Sequence, residues 1–280
     1  AFDCSNVGEN TVTVTVTDQS GNSTQATFTV TVLDQTAPVM QTQDITVDLD
    51  ASGHANITTA DIDAGSNDAC GIASLELSQS AFDCSHVGDN TVTLIATDVN
   101  GNVSSATAVV TVRDLIAAEV LTQDITVELD ANGSASITTS DIDNGSNDAC
   151  GIASYALDIT SFDCSNTGAN TVTLTVTDVN GNVSSNTATV TVIDVIAPTV
   201  ITKDITVQLD ENGEASITTS SVDNGSYDNC SFTLSLDNTS FDCSNVGTNT
   251  VTLTATDASG NSSSLTATVT VEDSILPTIV

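Results

Sequence analysis

Apolar and polar residues alternate along this chain. Val12, Val14 and Val16 alternate with Thr11, Thr13, Thr15 and Thr17, and Ala26, Phe28, Val30 and Val32 repeat the alternation on a second run. A period of two places the apolar side chains on one face of a strand and the threonines on the other. Threonine is β-branched and suits an extended backbone even on a wet face. No stretch carries the 3.6-residue apolar spacing of an amphipathic helix. The pattern predicts strands throughout.

A longer period lies over the short one. Phe2-Asp3-Cys4-Ser5 returns as Phe82-Asp83-Cys84-Ser85, Phe162-Asp163-Cys164-Ser165 and Phe241-Asp242-Cys243-Ser244, at spacings of 80, 80 and 79 residues. Each copy runs through a glycine into a Thr/Val alternation and then Thr-Asp-x-x-Gly-Asn. A fixed period of domain size predicts tandem domains. The expected boundaries are 1–36 for the C-terminal half of a repeat, 37–116, 117–196 and 197–274 for complete repeats, and 275–280 for the start of another. On this reading the chain is a window on a longer array.

Within 37–116 the predicted strands are 44–50, 54–58, 72–77, a short one at Phe82, 91–97 and 106–112, with turn signals at Ala51-Ser52-Gly53 and Val99-Asn100-Gly101-Asn102. Residues 61–68 are polar and read as a loop. About seven short strands per period predict tandem immunoglobulin-like antiparallel β-sandwich domains arranged end to end. Trp is absent, which sets the repeats apart from antibody domains. The junctions, such as Asp34-Gln35-Thr36-Ala37-Pro38, are short and hold no Gly or Ser run, so stiff packing is expected rather than a tether.

Charge narrows the function. Two Lys+Arg stand against 37 Asp+Glu, a formal net charge of −35. Nucleic acid and direct insertion into an anionic membrane surface are excluded as partners, because both call for positive charge. A folded surface this acidic repels itself unless cations bind, so Ca²⁺ is the expected cofactor.

Seven cysteines are present. The expected disulfides lie within repeats: Cys70 with Cys84, Cys150 with Cys164, and Cys230 with Cys243, leaving Cys4 as the second member of an earlier pair. No His or Cys-x-x-Cys stands nearby to make a zinc site. Disulfides imply an oxidising, extracytoplasmic location. A loop of roughly 15 residues closed this way stabilises by about 3 kcal/mol in the chain-entropy account.

Three acidic elements recur. The first is the junction acid: Asp34, Asp114, Asp194 and Asp273. The second is the hairpin loop: Asp18 with Asn22, Asp98 with Asn102, Asp178 with Asn182, and Asp257 with Asn261. The third is the loop before a cysteine: Asp63 and Asp68, Asp143 and Asp148, Asp223 and Asp228. In a sandwich the three converge where one repeat meets the next, so Asp34 is expected to meet Asp98, Asn102, Asp63 and Asp68. Ca²⁺ takes six to eight oxygens in irregular geometry and suits such a set. A single Asp in such a turn equally serves to cap its own backbone. The acids of Phe-Asp-Cys-Ser are not the preferred ligands. No catalytic residues are expected: His54 and His86 occur in one repeat only, the carboxylates lie in exposed loops, and aromatics are 3% of residues.

Asp34-Gln35-Thr36-Ala37-Pro38, Asp68-Ala69-Cys70-Gly71, Phe82, Val87-Gly88, Asn90-Thr91-Val92-Thr93 and Thr97-Asp98-x-x-Gly101-Asn102 follow one another in an order that resembles the HYR (hyalin repeat) family. The wording is similar to the tandem repeats of giant surface adhesins of gliding Bacteroidota, of the SprB type. That resemblance implies an immunoglobulin-like extracellular module, export by a type IX secretion system and display at the cell surface. Met40 and Val120 stand near where many HYR modules have Cys-Pro, and Ala106 and Leu265 near their last-strand Cys, so one bridge of those modules is missing here. The Ca²⁺ expectation rests on the carboxylates and not on the resemblance. Two functions follow: a structural stalk segment of a cell-surface adhesin or filament, whose partners are neighbouring repeats, or a ligand-binding module for carbohydrate or protein.

Overall fold

In the computed structural model residues 1–276 are described; the rest of the expected segment 275–280 lies outside the described residues. Packing divides the chain into two compact units. One comprises Ala1–Ala118 with Asp148–Ile152 and Asp178–Asn182; the other comprises Glu119–Asn147, Ala153–Thr177 and the described residues from Val183 on.

The first unit opens with a hairpin of β1 (Gly8–Thr17) and β2 (Ser23–Val32), in register from Gly8↔Val32 to Thr17↔Ser23. Its Val14, Val16 and Phe28 are exposed. A full repeat follows: β3 (Ile45–Asp48), β4 (His54–Asn56), α1 (Thr59–Ile62), β5 (Ile72–Leu77), β6 (Ala81–Asp83), β7 (Gly88–Asp98) and β8 (Val103–Arg113). One layer is a four-stranded sheet in the order β3-β8-β7-β5; the other is the two-stranded ribbon β4-β6.

The period-two pattern builds the core between these layers. Val92 and Leu94 of β7 and Ala108, Val110 and Val112 of β8 point inward, against Leu49, Ile57, Ile62 and Phe82. Phe82 is only 1% exposed, so the Phe of the recurring tetrapeptide is the ribbon's anchor in the core. The same sheet order recurs with Ile125–Glu128 beside Val183–Ile193, and with Ile205–Gln208 beside Ser262–Glu272. Leu209, Ile217, Val222, Phe241, Val251, Leu253, Val269 and Val271 form the equivalent core of the last repeat.

The repeats are all-β sandwiches, with two refinements. The pairing of β3 with β8 is parallel, from Ile45↔Val110 to Asp48↔Arg113. Both strands run toward the same pole, where Leu49 N–H donates to the Arg113 carbonyl, and the strands between them carry the reversals. The stretch expected as a loop at 61–68 begins inside the single turn α1. There Asp61 accepts from Thr58 N and Thr58 Oγ1, both at 2.7 Å, as a capping box does. In the last repeat Ser221 takes that place and accepts from Thr218 N.

Candidate metal centres at the repeat junctions

The closing hairpin sets the geometry. Asp98 ends β7, and its Oδ1 accepts from Asn100 N and Asn102 N at 2.8 Å each, while Oδ2 accepts from Asn102 Nδ2 at 2.7 Å. Gly101, at φ 93°, supplies the left-handed turn that any other residue would strain. Burial works to raise the Asp98 pKa, but hydrogen bonds from the Asn102 side chain and the loop backbone outweigh it, and the carboxyl lies below its ordinary range. The Asn102 amide also donates to the Asp34 carbonyl at 3.3 Å. Asn182 does the same to Asp114 at 3.3 Å and Asn261 to Asp194 at 2.9 Å. Each hairpin therefore clasps the acid that closes the preceding repeat.

The disulfides overturn the pairing expected from the sequence. Cys4 joins Cys70, Cys84 joins Cys150, and Cys164 joins Cys230, each 66 residues apart, with Cα–Cα distances of 5.2, 5.1 and 5.6 Å. Cys70 with Cys84, Cys150 with Cys164, and Cys230 with Cys243 are not bonded. The reason is the sheet. Cys70 sits at the hairpin pole, where Val99 N–H donates to the Gly71 carbonyl at 3.2 Å and Ile72 faces Asp98. Cys84 sits at the other pole, beside Gly53 and just before Gly88, which faces Val112. The length of β7 separates them, roughly 30 Å at a strand's rise, whereas a disulfide needs Cα atoms within about 7 Å. Cys243 is a free, exposed thiol.

The bridges bring acids together. Asp34, Asp68 and Cys70 each offer a donor atom within 4.8 Å of the others; so do Asp114, Asp148 and Cys150, and Asp194, Asp228 and Asp257. Asp114 and Asp194 are 8% and 5% exposed, and the Oδ2 of each is buried without a hydrogen-bond partner. Asp228 lacks a partner at both oxygens, as do the amide oxygens of Asn100, Asn180 and Asn229. Burial, with the charges of Asp194 and Asp257 beside it, pushes the Asp228 carboxyl up from its ordinary pKa. A buried acceptor left unpaired costs about 1–3 kcal/mol, and more when charged. These oxygens fit a hard cation. Carboxylate and amide oxygens in irregular array suit Ca²⁺, and a disulfide sulfur cannot act as the thiolate a soft metal prefers.

The other expected ligands are placed differently. Asp63, Asp143 and Asp223 stand outside all three clusters and hold their own loops, accepting from Ser66 N, Ser146 N and Ser226 N at 2.8, 3.0 and 3.0 Å. Asp18 and Asn22 form the same clasp as Asp98 and Asn102, but in the open first hairpin. Asp273 is exposed and accepts from Ile275 N at 3.0 Å. The acids of Phe-Asp-Cys-Ser are caps: Asp83 accepts from Ser85 N at 2.9 Å. His86 and His54 serve local turns, on Asp83 Oδ1 at 2.8 Å and the Ser52 carbonyl at 2.7 Å.

Sequence reasoning missed the amide oxygens of Asn100, Asn180 and Asn229 and the role of Cys4. The constant offset of 66 from Cys4, Cys84 and Cys164 to Cys70, Cys150 and Cys230 was visible in the numbering alone.

No family model matches this chain, and no curated protein matches it. Among solved structures, protocadherin gamma B7 extracellular cadherin domains 1–4 align over 95% of this chain and 84% of theirs, at 13% identity and TM-score 0.34. Drosophila N-cadherin EC1-4 aligns over 94% and 83%, at 13% identity and TM-score 0.34. Mouse cadherin-23 EC22-24 aligns over 85% and 99%, at 15% identity and TM-score 0.35. A likeness of this size carries no argument about function.

Proposed function

We propose that this chain is a structural segment of a repetitive extracellular surface protein, an adhesin stalk of the HYR-like kind, in which Ca²⁺ occupies the acidic junctions. The repeats are taken to meet near 36/37, 116/117 and 196/197. The observation that carries the reading is the pairing of a disulfide with an acidic cluster at successive repeats: Cys4–Cys70 with Asp34 and Asp68, and Cys84–Cys150 with Asp114 and Asp148. Disulfides of this density belong to an oxidising compartment. No helix among the described residues is long and apolar enough to cross a membrane.

The work is mechanical. The hairpin clasp fixes a preceding carbonyl, the disulfide fixes a loop, and the cation neutralises the carboxylates between them. Ca²⁺ binding to the folded state alone, at 100 times its Kd, would stabilise by about 2.7 kcal/mol per site. The test is thermal melting and small-angle scattering with Ca²⁺ and with chelator. A higher Tm and a more extended, stiffer particle with Ca²⁺ are expected. The same Tm and dimensions in both conditions would sink the reading.

A further inference from the structure

We infer that the cation centre at Asp114 and Asp148 is redox-linked: the Cys84–Cys150 disulfide holds it in its cation-binding form, and reduction loosens its grip on Ca²⁺. This rests on the proposed Ca²⁺ reading of the junctions.

Four observations lead to it. One three-residue loop supplies both the acid and the sulfur: Asp148 Oδ1 accepts from Cys150 N at 2.8 Å and from Gly151 N at 3.1 Å, so carboxylate and cysteine move as one piece. Cys150 Sγ lies within 4.8 Å of donor oxygens of Asp114 and Asp148. Asp114 is more than nine-tenths buried, with Oδ2 unpartnered in this cluster. The middle residue of the loop, Ala149, has no polar side chain with which to tie the loop to the strands that carry Asp114. Besides the bridge, the side-chain hydrogen bond from Asn182 to the Asp114 carbonyl ties that acid to the closing hairpin.

The centre at Asp194 and Asp228 provides the contrast. There Asn229 replaces alanine, and its Nδ2 donates to Asp194 Oδ1 at 3.1 Å and to the Asp130 carbonyl at 3.2 Å. This loop stays tied when its disulfide Cys164–Cys230 opens. The linkage is therefore strong at the first of these centres and weak at the second.

Reduction here is exchange with a dithiol such as dithiothreitol. The S–S bond breaks, each cysteine sulfur takes up one electron and one proton, and the reagent closes to its cyclic disulfide. Linkage is reciprocal: the factor by which the bridge tightens Ca²⁺ binding is the factor by which Ca²⁺ protects the bridge.

The experiment is calorimetric titration with Ca²⁺ of the whole chain, the Cys84→Ala/Cys150→Ala variant and the Cys164→Ala/Cys230→Ala variant. The first variant should lose about tenfold in affinity at one site, within the usual range of coupling, and the second less than about threefold. In parallel, the wild-type chain is equilibrated with dithiothreitol with and without Ca²⁺, and the Cys84–Cys150 pair is read by alkylation and mass spectrometry. Ca²⁺ should shift that equilibrium toward the disulfide by the same factor. This second readout holds even if a variant folds poorly. Unchanged affinity in the first variant, or an equilibrium indifferent to Ca²⁺, overturns the linkage while leaving the Ca²⁺ reading intact. A wild-type chain that binds no Ca²⁺ overturns both.

Discussion

The centre at Asp114–Asp148–Cys150 and the centre at Asp194–Asp228–Asp257 are built from the same loops with different atoms. In the first, the hairpin contributes the unpartnered amide oxygen of Asn180, and the cysteine loop contributes Ala149. In the second, Ser259 stands where Asn180 stood, and Asn229 stands where Ala149 stood, bringing an unpartnered amide oxygen of its own. The amide has moved from one loop to the other. Each junction thus keeps one buried, unpartnered side-chain amide oxygen in one of its two loops, which is hard to understand if these oxygens only shape turns. A turn needs its asparagine at one position; a cation needs an oxygen from any direction.

The largest effects should come from the buried acids. Asp114→Asn and Asp194→Asn should each raise Tm in chelator, because a buried charge whose Oδ2 lacks a partner is removed, and each should lose about 2.7 kcal/mol of the stabilisation gained in saturating Ca²⁺. Melting in both conditions checks this; a variant that keeps the full Ca²⁺ gain would remove its centre from the proposal. Next comes the clasp. Asn182→Ala and Asn261→Ala each delete two hydrogen bonds, one to the hairpin acid and one to the junction carbonyl. Both should destabilise by about 1–3 kcal/mol in urea unfolding, and similar losses at the two places would show that the clasp is shared where the centres differ.

Asn229→Ala turns the second loop into the first. It should cost about 1 kcal/mol through its two hydrogen bonds, and it should make Ca²⁺ binding there more sensitive to dithiothreitol. No change in that sensitivity would break the distinction between the centres. The smallest effect is on pH. Hydrogen bonds from Ser85, Ser165 and Ser244 hold Asp83, Asp163 and Asp242 below their ordinary pKa. Their contribution is present above the unfolded value near 4 and lost as pH falls through the folded values. Asp228 runs the other way: its raised pKa gives stability that is full below about pH 4 and is lost as pH rises through the folded value. In chelator, Asp228→Asn should therefore gain more stability than the wild-type chain between pH 4 and neutrality, read as urea midpoints against pH.

Much of this was legible in the residues. The Val/Thr alternation located β7 and β8, because a period of two has only one reading when threonine holds the wet face. The Thr-Asp-x-x-Gly-Asn repeat located the hairpin, since only glycine accepts the backbone that Gly101 adopts. Spacing alone did not choose between the two recurring cysteine offsets, 66 residues and about 14. Fourteen residues between Cys70 and Cys84 look close in sequence, yet they contain β5, which carries the chain away from the hairpin pole, and β6, which enters the other layer. The unpartnered oxygen of Asn229 was equally hidden, because an asparagine in a loop signals a turn until its surroundings show that nothing donates to it.

The bridges also decide how the chain would answer a pull from its ends. Each disulfide short-circuits 66 residues, so tension crosses from Cys4 to Cys70, or from Cys84 to Cys150, through sulfur rather than backbone. The only slack left between bridges is the stretch from Cys70 to Cys84 and from Cys150 to Cys164, fourteen residues each. At about 3.5 Å per residue that is about 50 Å of releasable contour for each 80-residue period, against about 280 Å for an unbridged chain. That slack is wound into β5 and β6, an edge strand of the sheet and one half of a two-stranded ribbon. Under load the span from Cys4 to Cys230 yields in short, equal steps and then becomes a covalent cable, with the core built on β7 and β8 outside the line of force; beyond Cys230, where Cys243 is unbridged, the last repeat's strands carry the tension themselves.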